Sequence, residues 1–157
     1  MECKLTPPRQ PAREDRENRI SDQADTLEFR HMGYGLRARF WPAARPHARA
    51  SVLIAHGMGE HSGRYQSLAW ILNNAGYNVL APDLRGHGLS RPEYCAPGDM
   101  GYDGWQCSLL DLRFLQEWLT KNYTDPIILI GHSMGAMLAQ QYLCLLYTSD
   151  AADDLVC

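Results

Sequence analysis

The sequence predicts an α/β fold with a mostly parallel sheet, an N-terminal antiparallel hairpin and helices on both faces. Three observations lead to this class. Two short β-prone runs separated by glycines come first, strand-like runs then alternate with segments of helical spacing, and the later strand-like runs are continuously apolar. In sheets of this kind active sites gather at the carboxyl ends of the strands, so functional residues are expected there.

The hairpin is predicted from residues 26–31 and 36–41, which Gly33-Tyr34-Gly35 separates. The run at 51–55 is apolar throughout, as in a strand buried on both faces. Residues 77–81 predict a further strand that Pro82 halts, and residues 127–130 predict another buried strand.

Helices are predicted between these strands. Apolar residues recur at helical spacing over 65–75, where Gly76 marks the end, and Gly and Pro make 85–101 a surface loop. A longer helix has one apolar face, formed by Trp105, Leu109, Leu112, Leu115 and Leu119. A last helix starts after Ser133, and its periodicity stops at Tyr147.

Composition narrows the class of protein. The chain has 157 residues, of which 45% are hydrophobic and 21% charged, and its mean hydropathy is −0.36. These values are typical of a globular chain and exclude a fibrous or wholly disordered one. No stretch approaches the roughly 18 apolar residues of a membrane span. The net charge of −3 gives no indication of nucleic-acid binding.

The cysteines indicate a reducing compartment, and we expect a cytoplasmic protein. There are 5 of them, an odd number at irregular spacing, with no Cys-x-x-Cys pair. A disulfide scaffold or structural zinc site is therefore not expected. The first residues contain no apolar segment of the kind that forms a secretory signal.

The two ends differ from the middle. Residues 1–25 are rich in charge and proline and predict a disordered tail, with an interaction tail as the alternative. Residues 26–143 form the predicted domain. Residues 144–157 include a run that resembles a translated sequencing-library adapter, so we expect a non-native tail there. The alternative is a genuine short acidic tail.

The strongest motif is Gly131-His132-Ser133-Met134-Gly135, between an apolar strand and a helix. In this context Gly-x-Ser-x-Gly predicts a nucleophile elbow, a tight strand-to-helix turn that exposes a reactive serine. The turn needs glycines because side chains two residues from Ser133 would collide with backbone. A helix N-terminus also favours developing negative charge. The alternative is a plain glycine-rich connection.

A second motif, His56-Gly57-Met58-Gly59, directly follows the strand at 51–55. A glycine-flanked turn there can aim the N–H of Met58 at a reacting carbonyl oxygen. With the N–H of Met134, it would complete an oxyanion hole. The alternative is a phosphate-cradling loop, which is less favoured because no Gly-Lys-Ser/Thr follows.

A third motif runs from Asp83 to Ser90 and is interpreted as architectural rather than catalytic, with a predicted pair between Asp83 and Arg85. Among the histidines, His56 and His132 are expected to orient the neighbouring turns. His61 and His87 are expected to be structural, and His31 and His47 incidental. A metal site at His56 and His61 is not expected, since no carboxylate–histidine spacing supports it.

Together these motifs resemble the monoacylglycerol lipase and lysophospholipase branch of the α/β-hydrolase superfamily, of the serine aminopeptidase S33 type. The resemblance rests above all on the string that starts His56-Gly57-Met58-Gly59-Glu60-His61-Ser62-Gly63-Arg64-Tyr65. It implies that Ser133 is the nucleophile and that the backbone amides of Met58 and Met134 are the oxyanion donors. It also implies a lipid ester substrate with one acyl chain, no cofactor, and peripheral contact with membranes in the full-length protein.

The sequence departs from that family in one respect that limits the activity expected of this chain. In the family the acid and the base follow the nucleophile in the chain, but no histidine follows His132 here. The triad Asp and His are therefore expected to be absent, and the chain to be the N-terminal half of the fold, ending after the elbow helix. We expect this part alone to be nearly inactive. The alternatives for the parent protein are a peptidase of the same fold and a non-catalytic binding protein.

Overall fold

The computed structural model describes residues 24–43, 47–123 and 126–153. Five strands form one mixed sheet in the order β1-β2-β4-β3-β5. The strands are β1 (Asp25–His31), β2 (Tyr34–Trp41), β3 (Ser51–Ala55), β4 (Asn78–Asp83) and β5 (Ile127–Gly131). The helices are α1 (Gln66–Asn74), α2 (Gly104–Asn122) and α3 (Met134–Asp153), with short 3₁₀ helices at Ser62–Tyr65 and Gly88–Ser90. The predicted α/β class is confirmed.

The hairpin of β1 and β2 closes through Met32 and Gly33, with His31 opposite Tyr34. Both turn residues have positive φ, 50° and 77°, as a two-residue turn of the I′ type requires. The turn therefore lies one residue earlier than the predicted separator at 33–35, because Met32 adopts the left-handed conformation.

Antiparallel pairing joins β2 to β4, and parallel pairing joins β3 to both β4 and β5. The carboxyl ends of β3 and β5 therefore lie side by side, with Ala55 opposite Gly131. The turns that follow these two strands carry the first two motifs, so the sheet brings the motifs together.

Helices cover both faces of the sheet. On one face, β3 and β4 pack against α1 through Val52, Ile54, Ala69, Val79 and Ala81. On the other, the alternate residues of the same strands pack against α2 and α3, together with an aromatic group around Phe29, Phe40 and Trp118. The predicted apolar face of α2 is confirmed, since its four leucines are buried and Trp105 is partly buried.

Two details of the predicted strands are wrong. β4 continues through Pro82 to Asp83, because Pro82 lies beyond the last pair with β3, Leu53 with Leu80, and faces only Ala38 of β2. A missing N–H there removes no bond of the parallel ladder. β5 is not fully buried. Among the described residues it pairs only with β3, and Ile128 is 41% exposed.

The last helix extends further than its periodicity predicts. α3 continues past Tyr147 to Asp153, a stretch with no glycine or proline to end it. Residues 154–157, and all of the predicted N-terminal tail except Ala24 and Asp25, lie outside the described residues. No helix within the described ranges is both long and apolar enough to cross a bilayer.

Candidate active site

Ser133 stands between the end of β5 at Gly131 and the start of α3 at Met134. Its φ is 50°, in the left-handed region that residues with a side chain avoid. Such a conformation costs about 1–3 kcal/mol and persists only where the surroundings impose it. The sharp reversal is closed by hydrogen bonds from Gly135 N–H to His132 O, at 2.9 Å, and from Ala136 N–H to Ser133 O, also at 2.9 Å.

The two motif glycines allow the close packing of this turn. A side chain at Gly131 would overlap with the backbone of Gly135 and Ala136. A side chain at Gly135 would overlap with the carbonyl groups of Ala55 and His56 at the end of β3. The first turn of α3 therefore sits directly against the backbone of β3, and only hydrogen atoms fit between them.

The turn after β3 is fixed by the buried ring of His56. Leu84 N–H donates to Nε2 at 2.9 Å, so the proton of the neutral ring is on Nδ1, which donates to the carbonyl of Gly57 at 2.8 Å. Burial lowers the pKa of His56 from 6.5, which favours this neutral form. Because C=O and N–H point in opposite directions in a trans peptide, the bond directs the Met58 N–H away from the His56 ring.

A carboxylate joins this turn to the elbow. Oε2 of Glu60 accepts hydrogen bonds from Gly57 N–H at 2.9 Å, from Tyr65 OH at 2.8 Å and from Nδ1 of His132 at 3.2 Å. These donors, first among them the backbone of Gly57, lower the pKa of Glu60 to about 2. Burial and the neighbouring carboxylate raise the pKa of Tyr65 to about 12. Glu60 is therefore ionised and Tyr65 protonated at neutral pH.

The two predicted oxyanion donors differ in exposure. The Met58 side chain is 58% exposed, whereas that of Met134 is buried. Neither backbone amide donates a hydrogen bond to any described residue. Gly57, next to Met58, is close to the serine, since a Cβ built on it would lie 3.2 Å from Cβ of Ser133. Gly59 has φ 71°, which suits the glycine that ends this turn.

The third motif is buried and supports the neighbouring loops. The predicted pair of Asp83 with Arg85 is wrong. Asp83 accepts the backbone N–H groups of Ser62 and Leu89, at 2.6 and 2.8 Å, while Arg85 turns the other way and pairs with Asp111 of α2. Each oxygen of the Asp83 carboxylate thus accepts one backbone amide, and the guanidinium of Arg85 pairs with a carboxylate on the helix instead.

The remaining histidines are either held by other residues or exposed. His87 is buried, and its Nδ1 donates to the carbonyl of Arg85 at 2.7 Å. His31, expected to be incidental, contacts Asp111 at 2.6 Å and stacks on Phe114. His61 and His47 are exposed. No group of three His, Cys, Asp or Glu side chains within the described ranges is arranged to hold a metal ion.

The sequence alone does not indicate a functional role for Glu60, Tyr65 or Asp111, although Glu60 and Tyr65 belong to the motif at 56–65 that resembles the family. Their roles depend on contacts between segments that are far apart in the chain, 72 residues in the case of Glu60 and His132. The one local signal was the position of Glu60 three residues after Gly57, within reach of its N–H across a single turn.

Comparison with known families gives one match over most of the chain. The sequence model of the family described as serine aminopeptidase, S33, matches residues 46–157.

Named relatives are similar over part of their length. Mouse (Mus musculus) monoglyceride lipase is 37% identical over 109 residues, which cover 68% of this chain and 34% of that protein. A monoacylglycerol lipase of Mycolicibacterium smegmatis is 35% identical, over 60% of this chain and 32% of that protein. The chain thus spans about a third of the length of these relatives.

Solved structures agree with this likeness. A thermostable carboxyl esterase from Bacillus coagulans, in complex with glycerol, superposes with a TM-score of 0.68 at 32% identity, over 76% of this chain and 39% of that one. A soluble variant of monoglyceride lipase from Saccharomyces cerevisiae, in complex with a substrate analog, gives a TM-score of 0.67 at 26% identity, over 78% and 40%.

Proposed function

Because this chain belongs to the α/β-hydrolase family described as serine aminopeptidase, S33, we propose that it carries the nucleophile and the oxyanion donors of a serine hydrolase. The reaction is cleavage of a carboxylic ester of a lipid with a single acyl chain. The observation that carries the proposal is the positive φ of Ser133 at a strand-to-helix turn that packs against the turn of His56 and Gly57. Strain of this kind is kept where it serves a reactive group.

In the proposed mechanism, Oγ of Ser133 attacks the ester carbonyl and its proton passes to a histidine base. The carbonyl oxygen becomes an oxyanion and accepts hydrogen bonds from the N–H groups of Met58 and Met134. The start of α3 adds a favourable field for that charge. The base then protonates the departing alcohol, and water cleaves the acyl-enzyme by the same steps in reverse. Each oxyanion donor typically contributes about 2.7–4 kcal/mol.

The proposal assigns the base and its orienting aspartate to sequence outside these 157 residues. No histidine follows His132, and the ring of His132 is held by Glu60. Loss of the histidine in a serine triad costs about 10⁶ in kcat, so the 157-residue chain alone is expected to be nearly inert. We use the term intact hydrolase for this segment together with the residues that supply the base and the acid of the triad.

The proposed substrates are monoacylglycerols or lysophospholipids. Relatives with the names monoglyceride lipase and phospholipase support this class, at 37% and 32% identity. We place the intact hydrolase in the cytoplasm, with peripheral contact with lipid surfaces where its substrates reside. Such a site needs no cofactor, since serine, backbone amides and the base carry every step.

A peptidase of the same fold is the second candidate, because the family description names an aminopeptidase. The same serine and oxyanion donors serve an amide carbonyl equally well. The choice between ester and amide depends on the pocket for the leaving group. A non-catalytic binding protein is the third candidate, but a binder has no use for a strained serine.

A fluorophosphonate probe separates these candidates. We expect the intact hydrolase to be labelled at Ser133, located by peptide mapping, and S133A to be unlabelled. A panel of monoacylglycerols, lysophospholipids and aminoacyl amides then gives the substrate class, with turnover of the single-chain esters expected. Absence of labelling at Ser133 would favour the binding protein, and turnover of amides alone would favour the peptidase.

A further inference from the structure

Glu60 lies at the junction of the two turns that form the candidate site. Its side chain is only 13% exposed, and one oxygen, Oε2, receives three donors from three different places. These are the backbone N–H of Gly57 on the oxyanion turn, the hydroxyl of Tyr65 beside α1, and Nδ1 of His132 on the elbow. The other oxygen, Oε1, lies 3.4 Å from a guanidinium nitrogen of Arg64.

The peptide groups on both sides of Gly57 are therefore fixed. Its N–H is bound by Glu60, and its carbonyl accepts from His56 Nδ1 at 2.8 Å and from the Glu60 N–H at 3.2 Å. The carbonyl belongs to the same peptide as the Met58 N–H, so these bonds set the direction of the predicted oxyanion donor.

The same carboxylate lies at the contact between this turn and the serine. A Cβ built on Gly57 would lie 3.2 Å from each of three atoms, namely Oε2 of Glu60, Nδ1 of His132 and Cβ of Ser133. The carboxylate thus lies where the turn and the elbow come into van der Waals contact. It accepts a hydrogen bond from each of them.

We propose that Glu60 is a positioning residue that holds the Gly57–Met58 peptide in register with the elbow of Ser133, so that the oxyanion donors are preorganised. This inference rests on the proposed function, since it assigns a role within that same site. Glu60 does not touch the reacting atoms; it acts through Gly57 and His132.

The chemistry of the site requires a carboxylate rather than an amide. A carboxylate offers acceptors on both oxygens, for the three donors on one side and for Arg64 on the other. A glutamine has one oxygen. Its NH₂ group would face either Arg64, a cation, or the three donors, and neither arrangement satisfies the site.

The experiment measures inactivation of the intact hydrolase by a fluorophosphonate, with separate values for the binding constant KI and the maximal rate of inactivation. For E60A we expect a rate about 10²-fold lower with KI unchanged, since a misplacement of about 1 Å typically costs that much. E60Q is expected to fall between E60A and the wild type. The matched control is E117Q, which removes another Glu–Arg pair, at 2.9 Å and on the exposed surface of α2, and should leave both values within twofold.

A second measurement does not depend on labelling. Amide hydrogen exchange, measured by NMR, should be at least tenfold faster at Gly57 in E60A and E60Q than in the wild type, with Leu53 in β3 as the internal reference for an intact fold. If the wild type is not labelled at Ser133, the proposed function fails and the role of the oxyanion donors fails with it, whereas the exchange at Gly57 still tests whether Glu60 holds that peptide. Unchanged exchange at Gly57, or an unchanged rate of inactivation of E60A in a protein that is labelled, would overturn this inference.

Discussion

Arg85 and Asp111 form a two-point ion pair in the protein interior. Nε of Arg85 lies 2.6 Å from one carboxylate oxygen, a terminal guanidinium nitrogen lies 3.0 Å from the other, and the side chains are 8% and 2% exposed. The guanidinium also stacks over the ring of Tyr34 at 4.4 Å. One contact thus joins the loop after β4, the hairpin and α2, three segments that surround the core.

We predict that D111A lowers the free energy of unfolding by about 3–5 kcal/mol, because it leaves the Arg85 charge buried without a partner. Urea denaturation followed by circular dichroism gives the value. E117Q, which removes the exposed pair with Arg113, should change it by less than about 1 kcal/mol. A loss of similar size in both variants would mean that burial of the Arg85 pair has no special importance.

Alanine variants are usually more stable than glycine variants at the same position. The strain at Ser133 predicts the opposite order of stability there. S133G should unfold with a free energy about 1 kcal/mol higher than that of S133A, because glycine adopts φ 50° without steric conflict. At Ser108, inside α2, the order should reverse, with S108A the more stable by about 1 kcal/mol. The same order at both positions would contradict the strained conformation of Ser133.

The buried ring of His56 predicts a loss of stability in mild acid. Its pKa in the folded state is lower than 6.5, so the unfolded chain takes up the proton first. Stability from this group is complete above pH 6.5 and decreases as the pH falls towards the folded-state pKa, by at most about 1.4 kcal/mol per pH unit. Unfolding free energies measured between pH 7.5 and 5.5 should show this slope.

The histidine responsible is identified by two variants. H56Q should reduce the slope over that pH range, whereas H47Q, at an exposed histidine, should retain it. Glu60 contributes to the pH dependence of stability in a separate range. Because its pKa is lowered from 4.5 to about 2, its stabilising ionised form is lost as the pH falls from about 4.5 to about 2. A slope that H56Q leaves unchanged would assign the effect to another group.

The uncovered side of β5 predicts self-association of this chain. Ile128 is 41% exposed on a strand that, within the described ranges, pairs on one side only. I128K should increase the monomeric fraction in size-exclusion chromatography with light scattering. L89K, at a residue of the 3₁₀ helix Gly88–Ser90 that is 60% exposed, should not. A monodisperse wild-type chain would contradict the prediction.

Patterns within one segment gave reliable predictions. The apolar run of β3, the leucine face of α2 and the strand-to-helix context of Ser133 all follow from neighbouring residues, and the structure has these elements where they were expected. The oxyanion roles of Met58 and Met134 remain predictions, since a backbone amide has no signature of its own in the sequence.

The errors come from contacts between segments. Pro82 predicts a strand end, but the pairing of β4 with β3 already ends at Leu80 with Leu53, which the sequence of β4 alone does not indicate. Proximity in the chain predicts Asp83 as the partner of Arg85, but the actual partner, Asp111, lies 26 residues further on. Such choices depend on which elements the sheet order makes neighbours.

The position of β5 also has a consequence for biosynthesis. Because, in the part of the chain that the structure describes, it joins the sheet through β3 alone, the first four strands can complete their ladder before residue 127 leaves the ribosome. The serine turn would then be added onto a platform that already exists, beside the turn of His56 and Gly57.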